Sequence, residues 1–306
     1  MKHKKPKILI SKCLEFDACR YDGQRITNIY IQKLKQHVDF IVICPEVEIG
    51  LGVPREPIHL INSNDKISLY QPKTDIDITE KMIRFSKKYI CSIKNIDGII
   101  LKSKSPSCAI TTAKHFPSIN SNKSIGHGSG LFSSILMDKF PNIPKEEEIG
   151  LSDGPLREHF YTSIFVYADF RTVKSLKHLY DFHAKHKLLF MTYNQIQLKE
   201  LGNIAANYDG KTIKEVLIRY FSILQKIFKK KPRYVSHINT QMHAFGYYKK
   251  QLTKEEKKDF LYLLEDYRAK NISISSVKSI IKSWNVKFEN QYLINQSYFA
   301  PYPDEL

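Results

Sequence analysis

The sequence contains no apolar run near the roughly 18–20 residues that a membrane-crossing helix needs. Its basic start, MKHKKPKILISKCL, carries an apolar stretch of only about four residues, short of the ~7–15 of a secretory signal. These absences lead us to expect a cytoplasmic protein with no membrane partner. Glycine and proline are scarce, at 12 and 13 of 306 residues, which excludes collagen-like and low-complexity chains. Cysteine is scarce too: Cys13, Cys19, Cys44, Cys91 and Cys108 form an odd set with no C-x-x-C pair. That excludes the dense disulfide framework of a small secreted domain. In a reducing compartment such cysteines bind metal, act as nucleophiles or are simply buried.

A chain of 306 residues, 42% apolar, is long enough to fold as two domains. The net charge is +17 and both halves share it, with 23 Lys/Arg against 16 Asp/Glu before residue 151 and 25 against 15 after it. Together with 36 aromatic residues, this balance suits nucleic acid or an anionic substrate, or merely the solvated faces of a lysine-rich protein.

The two halves differ in period. KILIS (7–11), FIVIC (40–44) and DGIILKS (97–103) read as strands. ITNIYIQKLKQH (26–37), IDITEKMIRFSKKYICSIKN (76–95) and LFSSILMDKF (131–140) read as helices, with Thr79 a candidate cap. Alternating strands and helices imply an open, mostly parallel α/β sheet. The second half loses its strand signals. Helices are expected over 171–192, over 212–230 and over 253–269, the last opened by a Thr253/Glu256 capping box. The fold class expected is therefore an α/β domain, residues 1–148, followed by an all-α domain, residues 149–306. The parting falls in PNIPKEEEIGLSDGP, where Glu146, Glu147 and Glu148 read as linker charge.

Cys13 lies just past the first strand, Cys44 ends the second and Cys108 follows the third. Ligands of open α/β sheets bind beyond the carboxyl ends of the strands, so parallel strands would bring these three thiols together. Such a set suits zinc, an iron–sulfur cluster with one open iron, or three buried cysteines with no cofactor. Around them stand groups with chemistry to offer: Glu46 and Glu48 after Cys44, Arg20-Tyr21-Asp22-Gly23 after Cys13, and Ser105 and Ser107 flanking Pro106. Cys91, inside a helical pattern, reads as core packing. Cys19 reads as a spare or pocket-lining thiol.

The segments ISKCLEFDACRYDG, VICPEVEIGLGVPREP and LKSKSPSC resemble, in this order, motifs of the bacterial thiouracil desulfidase (TudS) family. The later segments LREHFYTSIFVYADFR, FHAKHKLLFMTYN, HAFGYYKKQLTKEEK and YLINQSYFAPYPDEL resemble the YbgA-like helical domain often fused to it. The resemblance implies a [4Fe-4S] cluster held by Cys13, Cys44 and Cys108, whose fourth iron takes the sulfur of a thiolated pyrimidine. It also implies an acid/base Glu46 assisted by Ser105. Arg20, Tyr21, Asp22, Glu48 and Ser107 are then the candidates to contact substrate. Ala109 stands where the family often has glycine.

Weaker signals remain. GHGSG before a helix could cradle an anion or be a plain turn. His183 and His186, near His178, could bind metal or sit in the core. KKKPR (229–233) could meet phosphates or cap a solvated helix end. The expectation is thus a desulfidase acting on a thiouracil-like small molecule, with RNA or nucleotide contact available to the basic helical half. The rival is a non-enzymatic iron–sulfur protein that binds nucleic acid or senses redox state.

Overall fold

The computed structural model describes residues 3–63 and 66–306. In chain order its first elements are β1 (Lys7–Ser11), α1 (Ile29–Leu34), β2 (Asp39–Ile43), α2 (Pro45–Glu48), β3 (His59–Ser63), β4 (Lys66–Gln71) and β5 (Ile76–Asp77). They continue as α3 (Thr79–Ser92), β6 (Gly98–Leu101), β7 (Ala113–Phe116), β8 (Gly126–Gly128), α4 (Leu131–Lys139), β9 (Lys145–Glu147) and α5 (Gly154–Phe170). Helices follow alone: α6 (Leu176–Tyr193), α7 (Gln195–Ala206), α8 (Ile213–Ile227), α9 (Tyr234–Gly246), α10 (Lys254–Arg268), α11 (Ile274–Lys287) and α12 (Gln291–Ile294). The fold class read from the sequence holds, α/β with a parallel sheet and then all-α. The chain divides into two compact units, Lys4–Ala168 with the last two residues, and Asp169–Asp304 with His3. None of the described helices is long and apolar enough to cross a membrane.

The parallel sheet has the order β2-β1-β6-β9. Its central strands are continuous apolar runs because both faces are covered: Ile8, Leu9, Ile10 and Ile100 are fully buried. Helix α5 can lie against one face because residue 98 is glycine. A Cβ there would stand 2.6 Å from Ile164 Cγ2 and 2.9 Å from Ile8 Cδ1. The order reverses at β1, with β2 on one side and β6 on the other, which makes its carboxyl end the switch point of the sheet.

A second sheet, β5-β4-β3-β7-β8, was not expected. Only β3 and β7 run parallel in it, and the other pairs are antiparallel. Its strands are short and half-exposed, so they carry no apolar run that stands out from loop sequence.

Other expectations are corrected. Residues 145–147 are not linker but the edge strand β9, paired with β6, and their glutamates are the reason, as shown below. Thr79 does not cap α3. It is the first helical residue and turns inward, its Oγ1 accepting from Leu69 N at 2.7 Å. Cys91 is exposed rather than core, because the buried face of α3 runs through Met82, Ser86 and Ile90.

In the helical unit the Thr253/Glu256 capping box forms, and Thr212 and Glu215 form a second. Aromatic rings fill the spaces between helices. Phe170 stacks on Tyr220 and Phe221 at 5.5 and 5.3 Å, and Phe260 meets Phe245 and Trp284 at 5.0 and 5.2 Å.

Candidate active site at the strand ends

Beyond the carboxyl ends of β2, β1 and β6 lies a cavity of about 470 Å³, lined among others by Cys13, Cys19, Cys44, Cys108, Glu46, Arg55 and Ser105. The second sheet supplies another wall through His59 and Phe116, whose rings stack at 4.5 Å. Each of the four cavity cysteines is buried.

Local chemistry explains each placement. Cys44 is the extended N-cap of α2, followed by Pro45 at the first helical position, where a missing N–H costs nothing. Helix α2 ends within one turn because Gly50 takes φ +79°, a conformation suited to glycine. This short helix turns Glu46 inward, to 9% exposure. Cys13 follows β1 in a turn tied by Ile26 N donating to its carbonyl at 2.8 Å. Cys108 sits in a single turn that Ser105 closes: Ser105 Oγ accepts from Ser107 N and Cys108 N at 3.3 and 3.1 Å, and Ala109 N donates to Ser105 O at 3.0 Å. Lys104, before it, takes φ +60°, a strained state for a non-glycine residue and one that collects at functional sites.

Two glutamates anchor this loop from both ends. Glu147 Oε1 accepts the amides of Ile110, Thr111 and Thr112 at 2.7, 2.9 and 3.2 Å, and Oε2 accepts the Thr112 hydroxyl at 2.8 Å. Glu148 accepts from Ser103 N, Ser103 Oγ and Lys102 Nζ at 2.6, 2.7 and 2.7 Å. Both side chains are buried, a state that charged groups reach only when so paired. Glu146 beside them is pushed up to about 7 by burial and by the Glu147 charge.

GHGSG does not offer an open anion cradle. The first amides of α4 are taken by the cysteine loop: Gly130 N donates to Ala109 O, Leu131 N to Pro106 O and Ser133 N to Ser107 O, at 2.8, 3.0 and 3.1 Å. Gly130 is required there, since a Cβ would stand 2.4 Å from Ser107 C.

The thiols differ electrically. Burial pushes Cys13 up to about 12 and raises Cys108 as well. Cys44 goes the other way, to about 7, chiefly through its side-chain interaction with Cys19, with the Val47 amide adding to this against burial. The charged side chains of the lining are mostly basic, with Lys12, Arg20, Arg55, Lys102, Lys104 and Lys114 around one carboxylate, Glu46.

Not every expected contact residue reaches the cavity. Arg20 and Tyr21 line it, but Asp22, Glu48 and Ser107 do not. Asp22 is spent in its own turn, on the Gln24 amide and the Arg20 guanidinium. Glu48 lies farther along α2. Ser107 is fully buried behind Cys108. Arg55 was missed; it lies nine residues after Glu46, and the only signal was an arginine held among prolines in GVPREP.

Among the described residues, no three His, Cys, Asp or Glu side chains are grouped to hold one metal ion. In the helical unit His183 Nδ1 pairs with the Tyr220 hydroxyl at 3.0 Å. His186 Nε2 meets Asp169 at 2.9 Å, and its Nδ1 meets Ser297 Oγ at 2.7 Å. His186 and Ser297 are 3% and 1% exposed, which makes this a closed network rather than a metal or nucleophile site. His178 is exposed.

The family model described as 2-thiouracil desulfurase matches residues 8–148. The uncharacterized protein YbbK of Bacillus subtilis (strain 168) is 30% identical over 149 residues, 46% of this chain and 97% of that one. This chain belongs to the 2-thiouracil desulfurase family. A second model, for a protein of unknown function (DUF1722), matches residues 187–303. There the uncharacterized protein YbgA of Escherichia coli (strain K12) is 22% identical over 126 residues, 41% of this chain and 75% of its own length. A solved structure described as the [4Fe-4S]-dependent thiouracil desulfidase TudS is 26% identical, with a TM-score of 0.40, and covers 50% of this chain and 98% of its own.

Proposed function

We propose that this chain is a [4Fe-4S]-dependent desulfidase that replaces the sulfur of a thiolated pyrimidine, or a related thiouracil-like molecule, with oxygen. The observation that carries the reading is the meeting of Cys13, Cys44 and Cys108 on one cavity with Glu46 and Ser105, in a member of the 2-thiouracil desulfurase family. The donor set fits the cluster, because soft thiolates are the ligands iron–sulfur clusters use.

Cys13, Cys44 and Cys108 would hold the cluster. When bound, it supplies an open iron, a Lewis acid for the substrate sulfur. The overall exchange turns C=S and water into C=O and hydrogen sulfide, with no electron gained or lost. Glu46 takes a proton from the water that adds to the thiocarbonyl carbon. Ser105 receives two amide hydrogen bonds on its oxygen, so its own proton stays available to steer substrate or water. The basic lining favours the anionic, deprotonated form of the ring.

The test is anaerobic purification, iron and acid-labile sulfide analysis, and sulfide release from 2-thiouracil and 4-thiouridine. Glu46→Gln should keep iron and the absorbance near 400 nm while turnover drops by about 10²–10⁴-fold. A protein that holds zinc instead of iron, or an iron-loaded one that releases no sulfide from either compound, would sink the reading.

A further inference from the structure

A carboxylate on three rotatable bonds cannot serve as a base at a fixed point unless something holds it. The structure contains that holder. Arg55 Nε and Nη2 both donate to Glu46 Oε2, at 2.8 and 2.5 Å. Its remaining nitrogen, Nη1, donates to the carbonyls of Cys19 and Gly52, each at 3.0 Å. The side chain is 4% exposed, and its backbone is fixed in turn by Arg55 N donating to Tyr21 O at 2.8 Å. One guanidinium therefore ties three loops together: the α2 turn, the Cys19–Tyr21 loop and the Gly52–Arg55 loop. All its donors to Glu46 fall on one oxygen, and among the described residues Oε1 accepts no hydrogen bond.

We propose that Arg55 is a positioning residue, which pins Glu46 by Oε2 and presents Oε1 to the cavity. This rests on the desulfidase reading given above. Lysine cannot replace the arginine, because a single ammonium lacks the planar fork that serves a carboxylate and two carbonyls at once.

A cycle of four proteins tests it: wild type, Arg55→Ala, Glu46→Gln and the double variant, each isolated anaerobically with its iron content measured. Misplacing a catalytic group costs about 10²-fold in rate. Arg55→Ala should therefore lose roughly that factor in kcat, with KM within about threefold and iron retained, and Arg55→Lys should recover only a small part of it. On the Glu46→Gln background, Arg55→Ala should change kcat by less than about twofold, since there is no longer a carboxylate to position. A full further loss on that background, or wild-type kcat in Arg55→Ala, overturns the proposal. Thermal unfolding of the same four proteins decides the point apart from any activity. Removing the arginine strands a buried carboxylate, so the double variant should melt above Arg55→Ala. Simple additivity of the two melting shifts would overturn the proposal even if sulfide is released. If the cycle behaves as expected in melting but wild type releases no sulfide, the desulfidase reading fails and the pinning of Glu46 stands.

Discussion

The two units handle buried polar groups in opposite ways. In the α/β unit, thiols, a carboxylate and a hydroxyl converge on a cavity, and the groups that hold them act across long stretches of chain. Glu147 reaches residues 110–112 and Glu148 reaches 102–103, while Asn28 Nδ2 donates to Glu148 O across 120 positions. In the helical unit the titratable groups pair with one another inside the core, as His183 does with Tyr220 and His237 with Tyr298, and helix ends are capped within three residues. One unit spends its buried polarity on reactive geometry, the other on closing helices over a core.

The largest expected effect breaks that contrast at the thiols. Cys13→Ala, Cys44→Ala and Cys108→Ala should each lose most bound iron and all sulfide release, measured by iron analysis and turnover after anaerobic purification. His186→Gln, in the closed network of the helical unit, should leave iron unchanged and lower thermal stability instead. Iron loss in His186→Gln would mean the two units are not chemically separate.

Acid should single out the helical unit. Burial, with the Lys187 charge, holds His183 down to about 4, and burial with the Lys278 charge holds His237 down to about 3. Between those values and the unfolded value near 6.5, the unfolded chain binds protons that the folded one refuses. Their stabilisation is therefore complete above about pH 6.5 and is lost as pH falls, towards 4 for His183 and towards 3 for His237. At ~1.4 kcal/mol per pH unit the loss between pH 6.5 and pH 4.5 amounts to roughly 3 kcal/mol for each histidine. Hydrogen exchange followed from pH 7.5 to 4.5 should show amides of α6 and α9 opening before those of β1 and β6.

What was legible in the sequence follows the same division. Cues confined to a few residues were readable: the apolar runs of β1, β2 and β6, the cysteines at their ends and the Thr253/Glu256 box. What was not readable depends on partners far along the chain. Glu147 and Glu148 looked like linker charge because nothing near them in sequence shows that they accept amides 35–45 positions away. Gly130 looked like a turn residue because its neighbour in space is Ser107. Arg55 was hidden because one of its partners, the Cys19 carbonyl, lies 36 positions back, and the second sheet by strands too short to show a period.

That view predicts a middle-sized effect at Glu148. Glu148→Ala leaves the Ser103 amide and hydroxyl without their carboxylate acceptor and takes from the Lys102 ammonium its only carboxylate partner among the described residues. Breaking a buried pair in this way costs about 3 kcal/mol, to be read from denaturant midpoints. The cysteine loop should loosen with it, so iron retention should fall as well. Unchanged iron with the full stability loss would mean the loop is held well enough by Glu147 alone.

The smallest effect compares like with like. Thr253 caps α10 by accepting the Glu256 amide at 3.1 Å, and Asn28 caps α1 by accepting the Tyr30 and Ile31 amides at 3.0 and 3.2 Å. Each replacement by alanine removes a cap worth about 1 kcal/mol. Thr253→Ala should cost that and no more, because its other partner, the Glu256 carboxylate, is exposed to water. Asn28→Ala also cuts the bond to the Glu148 carbonyl, which adds roughly another 1 kcal/mol and reaches the anchor of the cysteine loop. Equal costs for the two variants would show that the α/β unit is no more dependent on distant partners than the helical one.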